Sequence, residues 1–291
     1  MLPFLLTSGL TTGALYSLVA LGLVLVYRAT THINFAHGEL FMMGGFFAYS
    51  LIKFAHFPYV AALLLTIPLT FALGVISDRV VYRPLMRAPG LTLVLATVGF
   101  SYLLKGIGRF FWGGKGEYLS IPAIVDPAPI FVSGIPVLPQ QLVVLASAVA
   151  LMVVFGLFFR YSMAGKMMEA TAQNQTAAYL VGIRVKDVYT LTWGASAALA
   201  GAAAVLMAPL TLLTPDIGLT LLLKAFAATI LGGLGSMLGA VIGGILVGVS
   251  ESLAGGYIDT AFQEVSSFIV IIAVLVIRPT GLLGGAKVRR A

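Results

Sequence analysis

Nine apolar runs, most of them close to 20 residues long, constrain the fold of this chain more than any other feature. A helix of about 20 apolar residues can cross the hydrocarbon layer of a bilayer, which is about 30 Å thick. The runs occupy residues 4–27, 37–55, 58–77, 91–111, 139–159, 188–212, 219–233, 236–254 and 262–277. We therefore predict an all-α fold, a polytopic bundle of transmembrane helices in which residues 1–291 form a single domain in the lipid bilayer.

The composition excludes a soluble globular protein. Hydrophobic residues make up 60% of the chain and charged residues only 9%, whereas about 25% of the residues of a soluble domain are charged. So few polar residues cannot cover a soluble core. The chain also has no cysteine, which excludes disulfides, thiolate catalysis and cysteine-based metal sites.

The run at 219–233 leaves the number of spans open between eight and nine. It is short, carries Lys224, and ends in the sequence Gly232-Gly233-Leu234-Gly235-Ser236. It is either a full crossing or a half-helix that enters the membrane and turns back. Irregular backbone at membrane depth is tolerated where protein or a cavity surrounds it, so we predict broken or re-entrant segments within the bundle.

The distribution of basic residues predicts the orientation of the bundle. If the spans alternate, most of the 17 lysine and arginine residues fall on one side of the membrane. These are Arg28, Arg79, Arg83, Arg87, Arg160, Lys166, Arg184, Lys186, Arg278, Lys287, Arg289 and Arg290. Since cytoplasmic loops carry the excess of basic residues, we expect a bacterial inner (plasma) membrane protein with its N-terminus outside and its C-terminus in the cytoplasm. Topology thus explains the net charge of +7, and no nucleic-acid partner is predicted.

Two connecting segments are long. Residues 112–138 contain several prolines and glycines, which favour an irregular extracytoplasmic loop. Residues 160–187 contain no proline and are rich in alanine, methionine, glutamine and glutamate, which are good helix formers. This cytoplasmic segment is long enough for one or two short helices on the membrane face.

No catalytic or cofactor motif is present. The chain has no Gly-rich phosphate-binding loop, no dinucleotide fingerprint and no HExxH motif. His37 and Glu39 come closest to a metal site, but residues two apart on a helix point in different directions. We therefore predict that the chain is not an enzyme and has no catalytic residue, no metal and no cofactor.

Polar residues interrupt the apolar pattern at 33–39. Asn34, Phe35, His37 and Glu39 are candidates for the solute path, because ionisable residues at membrane depth usually face a cavity or one another. One interpretation is a broken segment inside the bundle, followed by a helix that starts near Gly38. The other is a helix cap at the cytoplasmic interface, with Glu39 favoured by the helix dipole.

Glycine-rich segments form the second candidate region. The break at 232–236 unwinds backbone within an apolar region, and Gly232, Gly233, Gly235 and Ser236 are therefore candidates for the solute path. The glycines at 239, 243 and 244 have the spacing of close helix packing. A short similarity between residues 38–45 and 235–244 hints at an internal repeat.

Four stretches together carry a resemblance to a known family. They are GALYSLVALG (13–22), INFAHGEL (33–40), residues 165–183 and residues 224–236. In this order, over nearly the whole chain, they resemble the membrane permeases of ATP-binding-cassette (ABC) importers for branched-chain amino acids and related polar solutes, including amides and urea.

The resemblance implies a division of labour. A periplasmic or extracellular solute-binding protein delivers the solute, a second homologous permease subunit completes the path, and two ABC ATPase subunits supply the energy. Residues 160–187 then resemble the segment that couples the permease to the ATPases. The positions that match are Gly165, Glu169, Ala170, Ala177, Gly182 and Ile183.

The residues themselves leave two alternatives open. A stand-alone secondary transporter or channel for a small polar solute would also use Gly-rich broken helices, although it has less use for a long helical cytoplasmic segment. That segment, in turn, could be an amphipathic connector lying on the membrane surface.

Overall fold

The computed structural model describes residues 1–86, 88–113, 118–125, 128–132 and 135–284, and within them the chain is almost entirely helical. Seven helices are long and apolar enough to cross a membrane, which confirms the predicted helical bundle. The helices are α1 (Leu2–Thr30), α2 (His37–Lys53), α3 (Tyr59–Ser77), α4 (Gly90–Trp112), α5 (Pro139–Tyr161), α6 (Met163–Gln173), α7 (Gln175–Leu180), α8 (Val185–Met207), α9 (Ile217–Gly232), α10 (Met237–Tyr257) and α11 (Thr260–Ile277). A π-helical turn (Asp78–Tyr82) and a 3-10 turn (Arg83–Leu85) extend α3.

Two further helices lie at or just below the shortest length that can cross a bilayer, which is about 17 residues. Helices α2 and α9 have 17 and 16 residues, or roughly 25 Å at about 1.5 Å per residue. Helix α2 begins beside the middle of α1, where His37 Nε2 lies 3.0 Å from the Val19 carbonyl oxygen. Since α1 continues to Thr30, residues 31–36 lead the chain back into the bundle. Helix α2 then runs to the far end of α4, where Trp112 donates a hydrogen bond to Ser50 at 2.8 Å.

The helices form an inverted repeat. Helices α1 and α8 pack against each other. Helix α1 packs on α10, and in the same way α8 packs on α3. The short helix α2 contacts α8, and the short helix α9 contacts α1. Both of the pairs α1–α10 and α3–α8 are antiparallel. Leu5 contacts Ser252 and Ser17 contacts Val241 in the first pair, and Tyr59 contacts Val205 and Gly74 contacts Trp193 in the second. Helices α1–α4 therefore correspond to α8–α11. This correspondence pairs α2 with α9, so the counterpart of residue 38 is residue 218 and not residue 235.

One end of the bundle, which we call the basic end, holds the last turn of α1, the extension of α3, helices α6 and α7, and the start of α8. Gln175 donates to the Ala29 carbonyl at 3.3 Å, and Arg83 to the Lys186 carbonyl at 3.2 Å. The described basic residues that were predicted to share one side lie here: Arg28, Arg79, Arg83, Arg160, Lys166, Arg184, Lys186 and Arg278. Arg87, Lys115, Lys287, Arg289 and Arg290 lie outside the described residues.

Glycines let the long helices approach closely. Gly243 lies against the Ala228 carbonyl of α9, and Gly239 against the Gly232 carbonyl. On the other side of α10, Gly244 contacts the backbone of Ser17 in α1. Side chains would hold these backbones apart, so the structure gives these glycines the packing role that their spacing predicts.

The two long connections differ as predicted. Residues 112–138 are mostly irregular where described and contain only two short antiparallel strands, β1 (Ile130–Val132) and β2 (Ile135–Val137). Residues 160–187 contain α6 and α7. Ser162 caps α6 by accepting a hydrogen bond from the Gly165 N–H at 3.0 Å, and Asn174 caps α7 by accepting one from Ala177 at 3.0 Å. Such caps satisfy backbone donors that the first turn leaves free.

Candidate functional site

The first turns of α2 and α9 meet inside the bundle. Gly38 and Gly218 lie backbone against backbone, and a Cβ atom on either one would overlap the other. Each helix N-terminus carries a partial positive charge, so the two dipoles together favour negative charge in this region. The segment at 33–39 is thus a break inside the bundle, which supports the first of the two interpretations of its sequence.

His37 fixes the start of α2 against two long helices. Its side chain is fully buried. Nε2 lies 3.0 Å from the Val19 carbonyl oxygen and carries the proton, because a carbonyl only accepts. Nδ1 lies 3.2 Å from Ser196 Oγ, and that hydroxyl also lies 2.9 Å from the Gly22 carbonyl oxygen. His37 therefore positions α2 between α1 and α8.

A pocket of about 120 Å³ opens beside this junction. Its polar wall contains Glu39, Ser101 and Lys105, with Ser101 hydrogen-bonded to the Glu39 carboxylate and Lys105 close enough to attract it. Glu39 is only 3% exposed, and its Oε2 has no hydrogen-bond partner among the described residues. The remaining lining residues are Phe35, Val98, Tyr102, Leu219 and Leu222.

Lys105 also forms an ion pair with an exposed carboxylate outside the pocket. Its Nζ lies 2.5 Å from Asp216, the residue just before α9, and Arg109 lies 3.1 Å from the same carboxylate. The hydrogen bond from Lys105, with a further contribution from Arg109, lowers the pKa of Asp216. Asp216 is therefore ionised at neutral pH, and its side chain is 60% exposed.

The structure separates the two sets of candidate path residues. Asn34 is buried, and its Oδ1 accepts a hydrogen bond from the Ala36 N–H at 2.9 Å, which shapes the turn before α2. Phe35 and Glu39 line the pocket, as stated above. The second set lies at the other end of α9, roughly 21 Å away along its axis. It consists of Gly232, Gly233, Gly235 and Ser236.

The second set forms a tight turn at the basic end. Gly233 has φ 104°, a conformation that L residues rarely adopt, and Ser236 caps α10 by accepting a hydrogen bond from the Gly239 N–H at 2.9 Å. The segment after α11 covers this turn, because Leu282 and Leu283 donate backbone hydrogen bonds to the end of α9. The turn packs helices and does not touch the pocket.

Sequence reasoning missed the contribution of α4 to the pocket. Ser101, Tyr102 and Lys105 all come from that helix, and none of the three is among the predicted path residues. A charged residue inside the apolar run 91–111 is itself an indication of a functional position. Its ion-pair partner Asp216, however, lies in a loop far away in the sequence, so the sequence alone does not reveal the pair.

A second buried charged cluster lies between α9, α10, α1 and α11. Lys224 is ion-paired with Glu251, and the pair is 8% and 2% exposed. Tyr16 donates to the other carboxylate oxygen at 2.9 Å, and Ser267 also donates to Glu251. Unlike Glu39, Glu251 has donors for both of its oxygens.

The predicted coupling residues divide into packed and exposed positions. Gly165 is buried against the Phe159 carbonyl at the end of α5, and Ala170 and Ile183 are half-buried. Glu169, Ala177 and Gly182 are exposed. Next to them lies an exposed apolar patch at the basic end, which we call the α7 tip: Tyr179, Leu180 and Val181.

Comparison with known proteins decides the family. The family model for the permease component of branched-chain amino acid transport systems matches residues 5–277. The chain belongs to this family. The resemblance found in the four sequence stretches is thereby confirmed, and a member of this permease family with seven apolar helices is a multi-pass membrane protein.

Two permeases of branched-chain amino acid transport systems are similar to this chain over nearly their full length, and a fructose permease is similar over part of its length. The high-affinity branched-chain amino acid transport system permease protein LivH of Escherichia coli K12 is 32% identical, covering 97% of this chain and 96% of that protein. BraD of Pseudomonas aeruginosa, which bears the same description, is 33% identical over 98% and 96%. The fructose import permease protein FruF of Bifidobacterium longum is 25% identical, covering 80% of this chain and 65% of that protein.

Proposed function

We propose that this chain is the permease subunit of an ATP-driven importer of branched-chain amino acids in the bacterial inner membrane. It forms the solute path with a second homologous permease, receives solute from an external binding protein, and is driven by two separate ABC ATPase subunits. The family match over residues 5–277 carries the proposal. The names of LivH and BraD support the substrate class. The excess of basic residues supports a cytoplasmic location for the basic end.

The α6–α7 segment is the proposed contact with the ATPases. The three side chains of the α7 tip are 71–78% exposed, and a contiguous exposed apolar patch often marks a protein interface. Behind it, α6 packs on α1, α5 and α8. Helices α1 and α8 hold His37, so a movement of the segment would reach the start of α2 through packed helices.

Purification from mild detergent tests the proposed function. We expect the tagged chain to co-purify with two ATPase subunits and a second permease, and the reconstituted complex to take up labelled leucine only when ATP and the binding protein are supplied. Recovery of the chain alone, with leucine flux in liposomes that lack ATP, would instead establish a secondary transporter.

Tyr179→Asp tests the proposed ATPase contact. A charge in the middle of an apolar interface is poorly solvated, so we expect at least ten-fold less ATPase to co-purify with this variant. The matched control is Tyr118→Asp, because Tyr118 is 69% exposed in the connection after α4 while Tyr179 is 71% exposed. Equal ATPase recovery from both variants would show that the α7 tip is not the contact.

A further inference from the structure

The buried Glu39 carboxylate needs a partner that the described residues do not provide. Glu39 is 3% exposed and lines the pocket, yet its Oε2 accepts no hydrogen bond. Taking an ionised carboxylate out of water is costly unless both oxygens are satisfied. The second buried carboxylate shows the contrast, since Lys224, Tyr16 and Ser267 occupy both oxygens of Glu251. An ammonium group offers three donors, which is the chemistry that Glu39 lacks.

The other polar side of the pocket suits a carboxylate. Lys105 lines the pocket and shares its ammonium with Asp216. Asp216 is 60% exposed, so water can solvate it when Lys105 turns toward a ligand. The N-terminal ends of α2 and α9 add partial positive charge at the same place, as half-helix ends do for solute carboxylates in other transporters.

The charges of the site balance without a ligand. Counted with both carboxylates ionised, Glu39 and Asp216 carry two negative charges, and Lys105 and Arg109 carry two positive charges. A ligand with a single net charge would upset this balance in a medium of low dielectric constant, where an unpaired charge is expensive. A zwitterion adds both charges at once and leaves the balance unchanged.

The rest of the wall is apolar. Phe35, Val98, Leu219 and Leu222 form the apolar side of the pocket. The whole pocket, polar side included, has a volume of about 120 Å³, somewhat less than the cavity of about 150 Å³ that accepts a benzene molecule. Because this volume must hold the ammonium and carboxylate groups as well, it limits the ligand to a small amino acid whose side chain has only a few carbons. The polar and apolar walls together match an amino acid with a small hydrocarbon side chain.

We propose that this pocket is an amino-acid site in which Glu39 binds the ammonium group, Lys105 binds the carboxylate, and the apolar wall holds an aliphatic side chain. The proposal rests on the proposed function and assigns it a binding site. Because α2 and α9 both begin at the pocket, and His37 ties α2 to α1 and α8, a shift of these helices would reshape the site during transport.

Direct binding to the purified permease–ATPase complex tests the assignment, with labelled leucine as the probe and without the solute-binding protein. We expect saturable leucine binding that leucine itself displaces. Isopentylamine lacks the carboxylate and 4-methylpentanoate lacks the ammonium group, so each should compete at least ten-fold more weakly. If either analogue competes as well as leucine, the zwitterion site is wrong.

Substitutions in the pocket test whether leucine binds there. Glu39→Gln keeps the size of the side chain and removes its charge, so we expect the Kd for leucine to rise at least ten-fold. Asp259→Asn is the control, since Asp259 is an exposed cap of α11 that asparagine can replace, and its Kd should stay unchanged. Val98→Phe narrows the pocket from its apolar side and should therefore weaken the binding of leucine more than the binding of alanine. An unchanged Kd in both Glu39→Gln and Val98→Phe would place the site elsewhere.

The proposed function and the proposed site fail in different ways. If the wild-type complex shows ATP-driven leucine uptake while Glu39→Gln binds leucine normally, the function stands and the site is wrong. If the wild-type complex assembles and shows no ATP-driven leucine uptake, the proposed function itself is wrong.

Discussion

Lys224→Met and Glu251→Gln, made separately, are each expected to lower the free energy of unfolding by about 3–5 kcal/mol, because each leaves a buried charge without its partner. The two side chains form a direct ion pair between α9 and α10 and are 8% and 2% exposed. Tyr16 and Ser267 extend the cluster to α1 and α11. Loss of either charge should therefore loosen the contact of four helices.

The double variant tests whether the two losses of stability come from the same ion pair. Without Lys224, a glutamine at 251 is neutral. Its amide oxygen accepts a hydrogen bond from one of the two hydroxyls, Tyr16 or Ser267, and its NH2 group can donate to the oxygen of the other. We therefore expect Lys224→Met/Glu251→Gln to recover most of the lost stability. Denaturation in mixed detergent micelles measures the cycle. The control is Asp187→Asn, which breaks the exposed pair with Arg184 and should cost less than about 1 kcal/mol. Additive losses in the double variant would contradict the coupling.

The helices could be predicted from sequence, because apolar length alone decides where a chain can cross a bilayer. The depth in the bundle at which a short helix begins could not be predicted in this way. The run at 37–55 looks like a full span, and only the contact of His37 with Val19 shows that α2 starts inside the bundle. Likewise, the run at 219–233 allows either a span or a half-helix, and the contact between Gly38 and Gly218 shows where it begins.

The pocket was only half predictable, for a related reason. The polar residues at 34–39 stand out within one stretch of sequence, and Glu39 does line the pocket. Its other wall comes from α4 and α9, more than 50 residues away in the chain. The inverted repeat was hidden as well, because equivalent packing requires only small residues at contact points and not similar sequences.

The contact between α1 and α10 gives the second large expected effect. Gly13 lies against the backbone of Gly244 and Ile245, and Gly248 lies against the backbone of Gly13 and Gly9. Backbone atoms cannot rotate away as a side chain can, so a methyl group at either position must separate the two helices. Overpacking of this kind costs about 1–3 kcal/mol, and we expect Gly13→Ala and Gly248→Ala each to lower the midpoint of thermal unfolding in detergent.

Glycines of α4 and α5 supply the matched control. Gly106 and Gly156 also lie within long apolar helices, but nothing lies within 4 Å of a Cβ atom built on either one. Alanine is favoured over glycine in a helix by up to about 1 kcal/mol, so Gly106→Ala and Gly156→Ala should leave the midpoint unchanged or raise it. The same substitution is thus expected to act in opposite directions according to what lies opposite the glycine. A loss of stability at all four positions would mean that the destabilisation does not come from backbone contact between α1 and α10.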